Sequence, residues 1–298
     1  MDNTMLFVFN PRAGKGKIKY HLSEIIELYK SKGYEVVSYA TATDNNAEAI
    51  VTDCLKKDNY EYIICSGGDG TLNEIVNGVM KSENKPKLVL IPMGTTNDYA
   101  KSLKIPQRIK KAASVVFDKH HFVSDVGLLN SKYFVYIAAF GLFTDVPYET
   151  SQSYKNILGR FAYIMEGIKR VANLKSYNIT LDYDDKQVSG EFIFGMISNS
   201  ISVGGFKGIT GHSVVLDDGY FEAIFIKKPN NIMDLQTIIH NLSSGELNCE
   251  FIIYAQVKDI HINSEMNIPW TIDGEFGGNM QTVDVKNIPQ AISICTPC

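Results

Sequence analysis

Short apolar runs alternate with helical stripes along residues 1–125. Met5 to Phe9, Glu35 to Ala40, Tyr62 to Cys65 and Lys87 to Ile91 predict strands. Ile18 to Lys32, Ala47 to Lys57 and Thr71 to Met80 predict helices between them, and Asp98 to Leu103 and Arg108 to Phe117 add helical segments. In the first helix Ile18, Leu22, Ile25, Ile26 and Tyr29 make one apolar stripe, while Lys19, Glu24, Glu27 and Lys30 can face water. Gly33 closes it by taking a left-handed conformation. This βαβαβα order predicts a Rossmann-like three-layer α/β nucleotide-binding domain over 1–125. Its sheet is mostly parallel and covered on both faces, with ligands gathered beyond the carboxyl ends of the strands.

The pattern changes after His120. Phe122 to Val126, Tyr133 to Ala138, Ser176 to Tyr183, Gly190 to Ser198, Tyr220 to Ile226, Phe251 to Tyr254, Asp259 to Ile262, Pro269 to Ile272 and Gln281 to Val285 predict short strands. Only Leu158 to Asn173 and Ile232 to Leu242 read as helices there. The α/β domain is therefore expected to be followed by a mainly antiparallel β-sandwich domain over 126–288, leaving a natural cleft for ligands between the two. Ala291 to Cys295 can complete either domain, so 289–298 is assigned to the first only provisionally.

The 298 residues, 45% of them hydrophobic, suffice for two modest cores. A formal charge of -4 provides no general attraction to nucleic acid, and no nucleic-acid partner is expected. Neither a signal peptide nor a membrane span is visible, so the expected location is cytoplasmic. The cysteines, five in number, suggest no disulfide framework, although Cys295 and Cys298 have bare C-x-x-C spacing.

The chemistry concentrates in loops that follow strands. Gly67, Gly68, Asp69, Gly70 and Thr71 end a strand and start a helix, which suits close approach of a phosphorylated ligand. The run lacks G-x-G-x-x-G spacing, and Asn10 to Lys17 lacks the G-x-x-x-x-G-K-[ST] pattern, so neither is a dinucleotide fingerprint or a Walker A loop. Asn10 to Lys17 is either a phosphate-holding loop, with Lys15 and Lys17 as contacts, or a solvated basic turn. A third loop, Ile91 to Ala100, holds Gly94, Thr95, Asn97 and Asp98, and all three loops should line one sheet edge. There Gly68, Gly70 and Gly94 would admit a ligand, and Thr71, Thr95 and Asn97 would offer uncharged hydrogen bonds. Carboxylates beside phosphate call for a compensating cation, and Mg2+ is the economical choice for Asp69 and Asp98. Asp98 and Thr71 also fit ordinary helix caps, and Asn73 a helix surface.

Taken together, Asn10-Pro11, Gly67 to Thr71 and Pro92 to Asp98 resemble the catalytic domain of the diacylglycerol kinase family. The resemblance continues through Phe140 to Val146, Gly159 to Tyr163, Leu216 to Tyr220 and Ile272 to Glu275, so it covers nearly the whole chain and looks most like the soluble bacterial branch. It implies an ATP-dependent lipid kinase, with diacylglycerol to phosphatidic acid as the first expectation. Phosphatidylglycerol, a sphingoid lipid or another lipid alcohol is the alternative substrate. An NAD kinase-like enzyme and a non-catalytic nucleotide-binding protein are the remoter readings.

The resemblance further implies ATP contacts at Asn10, Thr41, Gly67 to Thr71 and Thr95, and a carboxylate network of Asp69, Asp98 and Asp125 near a catalytic Mg2+. Without it, Asp125 reads as an edge or hinge residue. It implies a structural Mg2+ site made by the Asp218 carboxylate with the Val215 and Tyr220 carbonyls, where the residues alone suggest a plain Asp-Gly hairpin. It places Glu275 as the base that takes the lipid hydroxyl proton, with Asp273 its close rival. Phe140, Leu142, Phe143, Phe161, Tyr163 and Ile164 are candidate acyl-binding residues that equally suit an ordinary core, and Phe206 to Ile209 beside Gly204 and Gly205 a candidate membrane-facing lip. Transient membrane-surface contact, aided by Arg160, Lys169, Arg170 and Lys175, and self-association as a homodimer complete the expectations.

Overall fold

The structure, a computed structural model, describes residues 3–42, 46–95, 97–142, 174–199, 202–203, 206–207, 216–247 and 249–298. The expected helix Leu158 to Asn173, the candidate acyl residues Phe143, Phe161, Tyr163 and Ile164, the cations Arg160, Lys169 and Arg170, the Gly204-Gly205 pair and Val215 lie outside them. The chain divides into two compact units, Met1–Val126 with Pro289–Cys298, and Gly127–Ile288.

In the first unit β1 (Thr4–Phe9), β2 (Glu35–Ala40), β3 (Tyr62–Gly67) and β4 (Lys87–Pro92) form a parallel sheet in the order β2-β1-β3-β4. Ile294 from the end of the chain pairs in parallel with Leu88, beyond β4. Met5, Leu6, Phe7 and Val8 are successive and all fully buried, so both faces of β1 are covered. β2 is instead largely exposed, as an edge strand is. The crossovers are α1 (Leu22–Lys30), α2 (Ala47–Lys57) and α3 (Asp69–Met80), followed by the short α4 (Asp98–Ser102) and α5 (Ile109–Ser114). Two acceptors start α2: Asn46 Oδ1 takes the Ala49 N–H at 3.0 Å, and Glu74 Oε2 takes the Ala47 N–H at 2.8 Å. α2 and α3 pack closely because Gly78 has no side chain, and a Cβ there would meet Val51 at 2.8 Å.

The helix expected from Ile18 to Lys32 starts later. Residues Ala13–Tyr20 form a 3-10 segment in which Gly14, Lys15 and Gly16 have φ of 57°, 60° and 73°. Three left-handed residues cannot run straight into a right-handed helix, so α1 begins only at Leu22. Ile18, Ile25 and Tyr29 are buried as the stripe requires, and Gly33 takes its left-handed conformation with φ 88°.

The second unit is antiparallel. β5 (His121–Leu129) enters it and pairs with β6 (Lys132–Phe134), which β7 (Ile137–Gly141) follows. β8 (Tyr177–Tyr183), β9 (Lys186–Ser198), the two-residue β10 (Ser202–Val203) and β11 (Phe206–Lys207), and β12 (Phe221–Lys227) come next. α6 (Ile232–Ser244), β13 (Ile252–Val257), β14 (Asp259–Ile272) and β15 (Glu275–Cys295) complete the chain. β9 and β14 are long enough that each pairs with both β7 and β8, which closes a ring of ladders β7-β9-β8-β14. Inside it Phe140 lies 4.9 Å from Trp270 and 6.0 Å from Tyr177, centroid to centroid, and all three are buried.

Three strand expectations differ from the structure. Tyr133 to Ala138 is two strands, because Val135 and Tyr136 form a bend. Asp259 to Ile262 and Pro269 to Ile272 belong to a single strand whose register shifts between Asn263 and Ile268. Gln281 to Val285 and Ala291 to Cys295 are likewise both in β15, the strand that carries the chain back into the first unit. All five cysteines are free thiols. Among the described residues, no helix is long and apolar enough to cross a membrane.

Candidate active site

Parallel strands place their carboxyl ends, and the loops that follow, along one edge. Thr41 donates its N–H to Phe9 O at 2.9 Å, Asn10 donates to Ser66 O at 2.8 Å, and Met93 donates to Gly67 O at 2.7 Å. Asn10, Thr41, Gly67 and Gly68 and the Met93-Gly94 turn therefore stand in one row, as the strand-loop-helix order predicts. Gly68 has extended backbone and precedes α3, so the first N–H groups of that 12-residue helix open on this edge. Asp69 and Gly70 lie half-buried in its first turn, Thr71 is buried, and Thr95 is exposed.

The glycines have a reason of their own. A Cβ on Gly94 would sit 2.6 Å from Gly68 Cα and 2.7 Å from Asn97 Oδ1, so these two loops touch backbone to backbone. A Cβ on Gly67 would overlap the Thr71 side chain at 2.4 Å, and one on Gly14 would lie 2.9 Å from Met93 O. Loop-to-loop packing thus demands glycine at these places before any ligand arrives.

Several polar side chains serve the loops themselves. Asn97, buried and left-handed at φ 50°, accepts the Gly94 N–H through Oδ1 and donates Nδ2 to Gly94 O, each at 2.8 Å. Asn10 Oδ1 accepts the Arg12 N–H at 2.9 Å. Asn73 accepts from Asn77 Nδ2 at 2.9 Å through its carbonyl and at 3.1 Å through Oδ1. Asp98 opens α4 and pairs with Lys101 at 3.2 Å. Asp125 is wholly buried, and its Oδ1 accepts the Gln290 N–H at 2.8 Å, where the returning end of the chain enters the first unit. Among the described residues, no three His, Cys, Asp or Glu side chains are grouped to hold a metal ion. A Mg2+ at Asp69 or Asp98 would need phosphate oxygens and water for most of its six ligands, which is how Mg2+ is ordinarily held beside a nucleotide.

A cleft of ≈ 710 Å³ opens beside Gly14, Gly94 and Asn97. Lys17, Arg108, Lys110 and Lys111 line it and, among the described residues, no carboxylate does, although Lys110 also pairs with Glu24. The sequence marks Arg108, Lys110 and Lys111 only as part of a helical segment; their position beside the glycine loops is the added information.

In the second unit Asp273 and Glu275 part company. Asp273 and Gly274 have φ of 47° and 92° and join Ile272 to Glu275, which are paired across β14 and β15. This is the two-residue hairpin that Asp-Gly favours. The Asp273 carboxylate is buried and accepts three successive backbone N–H groups, from Val135 at 2.8 Å, Tyr136 at 2.8 Å and Ile137 at 2.9 Å. Glu275 is exposed. The Asp273 carboxylate is thus committed to holding the fold, whereas that of Glu275 faces solvent.

Asp218 is exposed in the Leu216 to Tyr220 turn and accepts the Tyr220 N–H at 3.0 Å, with Gly219 at φ 80°. The turn closes through its own Asp. Its neighbour Glu222 on β12 is only 3% exposed, and its Oε2 has no hydrogen-bond partner among the described residues. Burial pushes this carboxyl up to about 7, against a hydrogen bond from Gln256 and with a smaller push from Asp218. An acid raised on folding binds more protons in the native state, so its destabilising effect grows as pH climbs from about 4.5 through about 7. Glu222→Gln is accordingly expected to stabilise the metal-free protein at pH 8 by on the order of 3 kcal/mol and to have little effect at pH 4. Thermal unfolding of both proteins at the two pH values checks this, and an equal effect at each would show that titration of Glu222 is not the cause.

The comparisons with known proteins agree with one another. The family description "Diacylglycerol kinase catalytic domain" matches residues 4–129. The diacylglycerol kinase of Staphylococcus haemolyticus is 36% identical over 97% of this chain and 87% of its own length. That of Staphylococcus carnosus is 35% identical over 97% of this chain and 94% of its own. A Bacillus anthracis crystal structure described as a candidate diacylglycerol kinase shares the fold, with a TM-score of 0.80 at 24% identity over 99% of this chain and 97% of that one. With more than a third of its residues shared along almost its whole length, the chain belongs to the diacylglycerol kinase family.

Proposed function

We propose that this enzyme transfers the γ-phosphate of ATP to the free hydroxyl of diacylglycerol, giving phosphatidic acid and ADP. The observation that carries this reading is the likeness to curated diacylglycerol kinases along 97% of the chain. The row of strand-end loops supports the nucleotide half of it, and the exposed Glu275 beside an anchored Asp273 supports the acceptor half.

In this reading the first unit is a Rossmann-like three-layer nucleotide domain and the second a β-sandwich that supplies lipid and base. Asn10, Thr41, Gly67, Gly68, Gly70, Thr71, Gly94 and Thr95 hold ATP, largely through backbone groups at the sheet edge, while Asn97 shapes the loop. The cations of the cleft balance phosphate charge. Asp69 and Asp98 would hold Mg2+, which would supply neutralising charge for the phosphates, and Asp125 holds the surrounding backbone. Glu275 accepts the proton of the lipid hydroxyl as that oxygen attacks the γ-phosphorus, and the bond from phosphorus to the β,γ-bridging oxygen breaks to release ADP. Asp218, with the Val215 and Tyr220 carbonyls, would hold a second, structural Mg2+ ion. The enzyme meets its lipid by transient peripheral contact with a membrane surface and works as a homodimer.

The test is a lipid panel. Purified protein with ATP and Mg2+ is offered diacylglycerol, phosphatidylglycerol, a sphingoid base and ceramide, and the phosphorylated product is identified by mass. Diacylglycerol is expected to be preferred. Preference for another lipid revises the substrate, and turnover of NAD or a soluble sugar in place of any lipid overturns the class.

A further inference from the structure

A continuous path of hydrogen bonds runs through the second unit from the Glu275 hairpin to the Asp218 turn. The Asp273 carboxylate binds the N–H groups of Val135, Tyr136 and Ile137, and the Asp273 N–H returns a bond to Ile137 O at 2.8 Å. The carbonyl of Tyr136 in turn accepts the Asn199 N–H at 3.1 Å. The Asn199 side chain donates Nδ2 to Leu216 O at 3.3 Å, at the start of the turn that holds Asp218. Asp273, Tyr136, Asn199 and Leu216 are each less than a tenth exposed, so water cannot easily replace any link. The segments at Tyr136, Asn199 and Asp273 are far apart in sequence, and the bend at Val135 and Tyr136 that splits β6 from β7 is what presents successive N–H groups to one carboxylate.

We propose that Asp273 and Asn199 are positioning residues that tie the Leu216 to Tyr220 turn to the hairpin bearing Glu275, so that order in the first turn fixes the carboxylate of the second. The proposal rests on the reading of Glu275 as proton acceptor. Neither residue touches substrate. Asp273 acts through the hairpin backbone, since its side chain holds the turn residue immediately before Gly274 and Glu275 against the β6 to β7 bend. Asn199 acts one step further out, bridging that bend to Leu216. A carboxylate is required at 273 because an Asn can present an acceptor to only part of the N–H trio, and its amide group would face the rest donor to donor.

Asp273→Asn and Asn199→Ala test the relay, with Glu275→Gln as the control for the underlying reading. Both positioning variants are expected to lower kcat with diacylglycerol by about 10–100-fold while KM for ATP stays within about twofold. The double variant should lose little more than the worse single one, because both break the same path. Amide hydrogen exchange at Val135, Tyr136 and Ile137 should quicken in Asp273→Asn, and at Leu216 to Tyr220 in Asn199→Ala, which reads the coupling without turnover. If Glu275→Gln is inactive yet both positioning variants keep parental kcat, or their effects multiply independently, the relay is wrong and the base assignment stands. If Glu275→Gln is itself fully active, the base assignment fails first. Should Asp273→Asn fold poorly, Asn199→Ala, which keeps the backbone bond from the residue 199 N–H to Tyr136 O, decides the matter alone.

Discussion

Glu275→Gln is expected to reduce kcat by about 10²–10⁴-fold while ATP affinity changes by less than about twofold, because only the capacity to accept a proton is removed. The side chain is exposed at the first residue of β15, so the substitution breaks no buried contact and preserves shape. Its hairpin is held by the Asp273 carboxylate on three N–H groups, which the Gln does not disturb. A loss of kcat therefore reports chemistry and not folding, provided thermal unfolding is unchanged. Calorimetric ATP titration beside steady-state kinetics separates the two, and a variant that turns over at the parental rate removes Glu275 from the mechanism.

Gly94→Ala should have the second largest effect. Its Cβ would be forced to within 2.6 Å of Gly68 Cα and 2.7 Å of Asn97 Oδ1, and one of those neighbours is backbone with no rotamer to yield. Relief requires the two loops to part, which breaks the paired bonds between Gly94 and Asn97 and pulls the Gly68 N–H row out of line. Overpacking of this kind costs about 1–3 kcal/mol. Displacing a phosphate cradle by an ångström costs up to about 100-fold in turnover. The matched control is Gly190→Ala, where the nearest atom to the new Cβ is a Phe192 ring carbon at 3.6 Å, an ordinary contact. Unfolding temperature and ATP affinity should fall for Gly94→Ala and hold for Gly190→Ala. Equal behaviour of the two would mean that loop contact is not what requires the glycine.

Much of the first unit was legible in the sequence because its physics is local. Strands buried on both faces read as unbroken apolar runs, and Ala47–Lys57 and Glu35–Ala40 match the expected spans residue for residue. The loop row followed from the alternation of strand and helix. The start of α1 was missed because an apolar stripe continues through Ile18, whereas the left-handed run at Gly14 to Gly16 is a property of backbone angles that no spacing reports. In β14 the exposed Glu265, Met266 and Asn267 interrupted the apolar pattern, although a bulged strand tolerates them. The roles of individual site residues were the least legible. Asp273 finds its three donors some 136 to 138 positions away, and Asn199 its acceptor at Leu216, so an Asp-Gly-Glu turn and a strand-end Asn look ordinary until the fold brings their partners together.

The first unit is also discontinuous along the chain, and that has a consequence for biosynthesis. It acquires the Ile294 neighbour of Leu88, the Gln290 donor to Asp125 and the Thr296 partner of His120 only from Pro289 to Cys298, which follow the second unit in the sequence. A ribosome delivers those residues only after the second unit, so the nascent first unit must wait with β4, apolar from Leu88 to Pro92, uncovered on one side while the second unit is made. A chain cut just before Pro289 keeps all the residues of the second unit but lacks these partners in the first, so the first unit in sequence is the second to be completed.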